Sequence, residues 1–289
     1  MTTKLAAVRA FLLAALAVAM TPAFAITGKS WVEDNAHPYV GLVVFYDAAG
    51  AFVQRCSGSL IGGRKFLTAG HCTDKSAGVV RARVYFQQDA GANFDPVTQI
   101  DPITGYPEYC AGGTEGTLCV SAGKLHNYGF DNFVGAPNTR DVGLVILDQP
   151  ITTLGFGQLP QAGALNSLAT ARGTKSTVFT VSGYGLTLST QEHSAVANIS
   201  FRERLMAQST LVNLNSTLNG GFNLQTQGNG EGRGGTCSGD SGGPVFLGSS
   251  SSNLIVAVTS FGLNALCRGT DFGYRIDRQE VLDWIRDRN

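Results

Sequence analysis

Apolar residues in this chain come in short runs broken by turn formers, not in long helical stripes. Tyr39 to Tyr46, Val79 to Phe86, Thr177 to Val181 and Asn253 to Ser260 are of strand length, and 37 glycines punctuate the chain. Short strands separated by turns predict an all-β barrel or sandwich and argue against alternating βα units. Val196 to Leu205 alternates in part, as a strand with one wet face would. One helix is predicted near the C-terminus, with Asp277 as its cap and Glu280 three residues later as in a capping box. Val281, Leu282, Trp284 and Ile285 supply its apolar face. No internal repeat is visible, and Ser249 to Ser252 is short enough to be a loop tip.

Residues 1–25 follow another pattern. Lys4 and Arg9 precede an apolar run from Phe11 to Met20, then Pro22 and Ala23-Phe24-Ala25. This is the layout of a secretory signal peptide, with a core too short to span a bilayer. Export to the medium or the periplasm is expected, without stable membrane insertion once the leader is removed. The remaining 264 residues suffice for a large core in one or two compact units. Loss of Lys4 and Arg9 leaves 19 basic against 21 acidic side chains, a net charge of −2. Such a surface has no electrostatic basis for a nucleic-acid partner. Six cysteines in an exported chain most simply form three disulfides, although fifteen pairings are possible. None of their spacings is a C-x2-C pair, so no metal site is expected.

Candidate chemistry is concentrated in three places. Cys237-Ser238-Gly239-Asp240-Ser241-Gly242-Gly243-Pro244 presents Ser241 in a turn with small neighbours. A serine hydroxyl is a poor nucleophile unless a base, an orienting acid and oxyanion donors accompany it. Leu67-Thr68-Ala69-Gly70-His71-Cys72 supplies an imidazole, and Arg140-Asp141-Val142-Gly143-Leu144-Val145-Ile146-Leu147 a carboxylate at the mouth of an apolar strand. His37, His126 and His193, and the acids Asp131 and Asp148, lie in no comparable context. Gly239 to Gly243 also fits the G-x-S-x-G elbow of α/β-hydrolases. That fold needs its histidine after the serine, and this chain has none there.

With the order His71, Asp141, Ser241, the chain resembles the trypsin/chymotrypsin-like serine proteases from Ile26 to its C-terminus. The resemblance implies an all-β fold of two antiparallel β-barrels with a C-terminal α-helix and a cleft between the barrels. With the junction near Pro150, Gly155, Gly157 and Pro160, the implied layout is a leader at 1–25, a barrel at 26–155 carrying His71 and Asp141, and a barrel at 156–289 carrying Ser241. Residues 88–138, rich in Gly, Pro, Asn and Asp, are longer than the family's usual connection and are expected to be a surface insertion. The implied roles are base for His71, orienting acid for Asp141 and nucleophile for Ser241, with the N–H groups of Gly239 and Ser241 as the oxyanion hole. Disulfides Cys56 with Cys72 and Cys237 with Cys267 are implied, leaving Cys110 and Cys119 to close a local loop.

Cleavage after Ala25 would expose Ile26-Thr27-Gly28-Lys29, similar to the amino terminus of active family members. There the new α-amino group pairs with the acid before the nucleophile, here Asp240. Ser260, Phe261 and Gly262 resemble the strand that pairs with substrate backbone. Gly235 falls at the floor of the primary pocket and favours uncharged side chains, but Asp271 could enter the pocket and restore a preference for basic ones. The resemblance thus implies a secreted serine endopeptidase acting on protein or peptide substrates, with no cofactor. The alternative is an exported binding or adhesion module on the same fold that does not cleave.

Overall fold

The computed structural model describes residues 30–90, 118–170, 176–186, 203–228, 232–263, 267 and 269–289, with the backbone of three short strands at 27–28, 187–188 and 197–198. The chain opens with β1 (Thr27–Gly28) and β2 (Val32–Glu33). The long apolar run then becomes β3 (Val40–Tyr46), buried along its whole length. It is followed by β4 (Phe52–Leu60), β5 (Lys65–Thr68), β6 (Arg81–Tyr85), β7 (Cys119–Ala122), β8 (Lys124–Asn127) and β9 (Gly143–Ile146). These seven form one antiparallel sheet in the order β7-β6-β3-β4-β5-β9-β8. Gly123 alone separates β7 from β8, so the two edges of the sheet meet at one residue and the sheet curls on itself.

The second half begins with a short helix, α1 (Asn166–Thr170), and then β10 (Val178–Gly183), β11 (Thr187–Leu188) and β12 (Ala197–Asn198). Next come β13 (Leu205–Asn213), β14 (Asn223–Gln227), β15 (Gly234–Gly235), β16 (Pro244–Leu247), β17 (Ile255–Gly262) and β18 (Thr270–Arg275). The second sheet runs β10-β16-β17-β18-β14-β13-β2, and β10 also pairs with β13. That additional pairing closes six strands into a ring, which removes free edges. The fold is therefore mostly β, with two barrel-like sheets and a terminal helix, α2 (Gln279–Asp287). The residues facing inward are those the apolar runs predict. Phe45, Leu60, Phe66 and Leu144 fill the first sheet, and Phe179, Val181, Leu211 and Leu224 the second. Burial of each such side chain contributes about 1.5–3 kcal/mol.

Three local expectations change. Asp277 does not cap α2: the N-cap is Arg278, in extended conformation and without a side-chain cap bond. Asp277 is buried instead, accepting from Arg275 Nε and Nη2, both at 2.8 Å, and from Leu165 N–H. A buried guanidinium needs its carboxylate more than a helix end in water does. Second, the 88–138 segment is not all surface insertion. Residues 119–127 form β7 and β8, pairing with β6 and β9. Residues 91–117, Cys110 among them, lie outside the described residues. Third, of the expected strand at Val196 to Leu205, Ala197–Asn198 is strand, residues 199–202 lie outside the described residues, and a strict alternation of buried and half-buried positions runs from Leu205 to Val212. Among the described residues, no helix is long and apolar enough to cross a membrane.

Side chains from the second half tie the two sheets together. Arg204, buried, donates to the carbonyls of Asp34, Val40 and Phe86. In the N-terminal segment, Asp34 bonds His37 Nδ1 and accepts from Ser182 Oγ. This second Asp-His-Ser group is buried, with exposures of 0%, 1% and 2%. No substrate could reach it, which leaves His37 a structural histidine.

Candidate active site

The register of β5 against β9 brings His71 to Asp141. Thr68 lies opposite Gly143, so the three residues after one strand and the two before the other leave the sheet side by side. His71 starts a single 3-10 turn, His71–Thr73. Gln54 Nε2 donates to the His71 and Cys72 carbonyls, and the Cys56–Cys72 disulfide anchors the turn to β4. Arg140, just before Asp141, has the left-handed φ of 50°. Asp141 is fully buried and receives His71 N–H at 2.7 Å. Its carboxylate meets His71 Nδ1 at 2.9 and 3.1 Å, and Ser260 Oγ donates to its Oδ2. Ser260, expected to serve substrate binding, thus also holds the acid. The His71 side chain remains 23% exposed.

This arrangement acts on the imidazole in two directions. Burial lowers the His71 pKa, while the Asp141 charge, its hydrogen bond and the charge of Asp74 raise it, and the net shift is upward. With Nδ1 directed to Asp141, the free ring nitrogen is Nε2, the one a general base uses on a serine.

Ser241 lies in a turn seated on the same end of β5. Gly242 has φ +79°, and a Cβ there would stand 2.1 Å from Thr68 Oγ1, so only glycine permits the approach. Ser57 N–H donates to the Ser241 carbonyl at 2.8 Å, and Cys72 Sγ lies 3.8 Å from the same oxygen. The Gly242 N–H donates to the Thr259 carbonyl. Ser241 is therefore flanked by residues adjoining His71 on one side and Ser260 on the other. Among the hydrogen bonds of the described residues, none joins Ser241 Oγ to His71. Contacts of this kind often tighten only in the substrate complex.

Gly239 adopts φ +97°, available to glycine at little cost. Asp240 is buried and accepts from Gly185 N–H at 2.8 Å and Cys237 N–H at 2.9 Å. Burial pushes its carboxyl up to about 7 against these two bonds, and the Asp271 charge adds to the rise. No cation faces it among the described residues, and Ile26 lies outside them.

Beside Ser241 opens a cleft of about 410 Å³, lined by Thr236, Cys237 and Ser238 on one side and by Thr259 through Gly262 on the other. The Cys237–Cys267 disulfide lies on its wall. Gly235, in β15, is buried and paired with Thr27. Asp271 is buried behind Thr236, whose N–H donates to Asp271 Oδ2 at 3.0 Å. Burial raises the Asp271 carboxyl to about 6. The structure also reveals an aromatic row the sequence reading missed. Phe130, beside His71 at 5.8 Å, meets Phe133, which meets Phe261, which stacks on Phe272 at 4.5 Å. Its only signal was a pair of phenylalanines in an otherwise aperiodic loop. Cys56, His71 and Cys72 also cluster within 4.8 Å, but both sulfurs are engaged in the disulfide and offer no thiolate to a metal.

A family model described as Trypsin matches residues 26–285, and the chain belongs to this family of trypsin-like serine proteases. Among curated proteins, the CLIP domain-containing serine protease B10 of Anopheles gambiae is 27% identical over 136 residues, 45% of this chain. The match spans 35% of the mosquito protein's length. The thrombin-like enzyme acutin of Deinagkistrodon acutus is 25% identical over 267 residues, 90% of this chain and 94% of the snake protein. Among solved structures, HL collagenase superposes with a TM-score of 0.61 at 19% identity, covering 90% of this chain and 97% of that one. Human heparin binding protein gives 0.58 at 22%, covering 90% and 95%. At these identities the two structures establish the fold.

Proposed function

We propose that the protein is an exported serine endopeptidase. Ser241 Oγ attacks the scissile carbonyl carbon while its proton passes to His71 Nε2, and Asp141 stabilises the resulting imidazolium. The oxyanion takes the N–H groups of Gly239 and Ser241. Collapse expels the amine with the proton from His71, leaving an acyl ester on Ser241. Water cleaves that ester by the same proton route. Substrate backbone pairs along Ser260, Phe261 and Gly262. The reading includes removal of residues 1–25, release to the periplasm or medium, barrels divided at 155/156 and a salt bridge from the Ile26 α-amino group to Asp240. The observation that carries it is a partly exposed imidazole held by a fully buried carboxylate that also accepts from Ser260, a residue lining the same cleft as Ser241.

A non-catalytic binding module is favoured by one feature, the missing hydrogen bond between Ser241 and His71. A fluorophosphonate probe separates the readings. The secreted wild type is expected to be labelled, and the Ser241→Ala and His71→Ala variants to lose about 10³-fold or more in labelling or hydrolysis rate. An unlabelled wild type carrying Ile26 at its amino terminus would leave the binding reading standing. Cleavage of a mixed peptide library by the same material reports the pocket. Uncharged residues before the cut point to Gly235, and Lys or Arg there point to Asp271.

A further inference from the structure

The two N–H groups assigned to the oxyanion hole belong to Gly239 and Ser241, and the carbonyls of both residues are gripped by one residue of the opposite sheet. Ser57, in β4, donates its hydroxyl to the Gly239 carbonyl at 2.8 Å and its N–H to the Ser241 carbonyl at 2.8 Å. The hydroxyl has only one way to point. Tyr184 N–H donates to Ser57 Oγ at 2.9 Å, so the oxygen's proton is left for Gly239. Ser57 is fully buried, and its own carbonyl is taken by Thr68 Oγ1 at 2.8 Å, at the strand end that leads to His71.

We propose that Ser57 is a positioning residue for the oxyanion hole, its hydroxyl fixing the peptide that lies between the two donors. This rests on the endopeptidase reading above. The 239–240 peptide separates the Gly239 N–H from the Ser241 N–H, and its plane sets the direction of one relative to the other. Gly239, at φ +97°, has no side chain to restrain that plane. Glycine crosses between backbone conformations more readily than any other residue, so an outside hydrogen bond must select one. The Ser57 N–H would hold the Ser241 carbonyl in any residue but proline. Only the side chain reaches Gly239. Preorganised donors stabilise an oxyanion without reorganising during the reaction, and a donor that wanders loses that benefit.

A purely structural hydroxyl, present to satisfy Tyr184 N–H and the Gly239 carbonyl, would cost stability when removed and leave transition-state binding alone. The test therefore compares Ser57→Ala, and Ser57→Cys as a near-isostere with a weak donor, with wild-type secreted enzyme. Thermal midpoint, KM, kcat and Ki for a peptidyl boronic acid are measured. In Ser57→Ala, kcat is expected to fall about 10-fold or more, with KM within about twofold and the boronate Ki rising in step with the loss of kcat/KM. Ser57→Cys should fall between Ala and Ser. A folded Ser57→Ala with wild-type kcat and Ki overturns the proposal, as does a loss confined to KM or a lower midpoint alone. Failure of both variants to fold makes Ser57 a folding residue and overturns it equally. A wild type inert to boronate and fluorophosphonate sinks the endopeptidase reading itself, an outcome distinct from the others.

Discussion

His71 is the one catalytic candidate whose charge state changes near neutral pH, and its surroundings give the sign of that change. Burial alone would favour the neutral ring, but Asp141, at 2.9 Å from Nδ1, favours the imidazolium more, and the pKa lies above the ordinary 6.5. A base must be neutral to accept the Ser241 proton. Activity is therefore expected to be low in acid and to rise with pH, on a limb centred above pH 6.5. The profile of kcat/KM against pH measures this. For Asp141→Asn the limb should move down as the stabilising charge is lost, and the plateau should fall by orders of magnitude because the ring loses its orienting partner. A limb centred below 6.5 in the wild type would contradict the assignment of His71 as the base.

At the level of elements, the legibility of the chain followed the range of the forces involved. Ser241, His71 and Asp141 could be picked out because each sits among local residues that shape its turn. The pairing of β5 with β9, which places two of them side by side, depends on partners about 75 residues apart and has no local mark. β7 and β8 carry no strand signal in the sequence because each has four residues, with Gly123 between them, an exposed Lys124 and a half-buried polar His126. The helix α2 was legible from its apolar face, buried at Val281, Leu282 and Ile285. Its cap was not, since Asp277 is claimed by Arg275, a competitor visible only once β18 is folded. Removing one partner from such a buried pair leaves an uncompensated charge and costs about 3–5 kcal/mol. Asp277→Ala is expected to lower stability in urea unfolding by about that much. Glu280→Ala, affecting an exposed pair with Arg278, should change little. Equal losses for the two would mean that Asp277 acts mainly at the helix end.

For the whole molecule, the proposed Ile26–Asp240 salt bridge would couple the nucleophile turn to the state of the amino terminus. β1 pairs with β15, Thr27 opposite Gly235, so residues 27–28 run beside the segment leading through Cys237 to Asp240. While residues 1–25 are attached, residue 26 has no α-amino group, and Asp240 has two N–H donors but no cation among the described residues. Its pKa is then raised from 3.8 to about 7. Unfolding between those values releases a proton, so in the unprocessed form the contribution of Asp240 to stability should be greatest near pH 4 and fall as pH rises towards 7, with little further change above. The size of this term is on the order of 4 kcal/mol. Once Ile26 carries a free α-amino group, a salt bridge to Asp240 would favour the charged carboxylate and lower its pKa. The part of the decline due to Asp240 should disappear and reverse to a loss on acidification, while the part due to Asp271, raised to about 6, remains in both forms. Urea unfolding at pH 5 and pH 8, of chains beginning at Ile26 and of chains carrying a few residues before it, compares the two directly. The extended form is expected to be the weaker at pH 8 and the less active, because an uncompensated charge at 240 strains the turn that presents Ser241. Identical pH dependence in the two forms would show that the amino terminus does not reach Asp240.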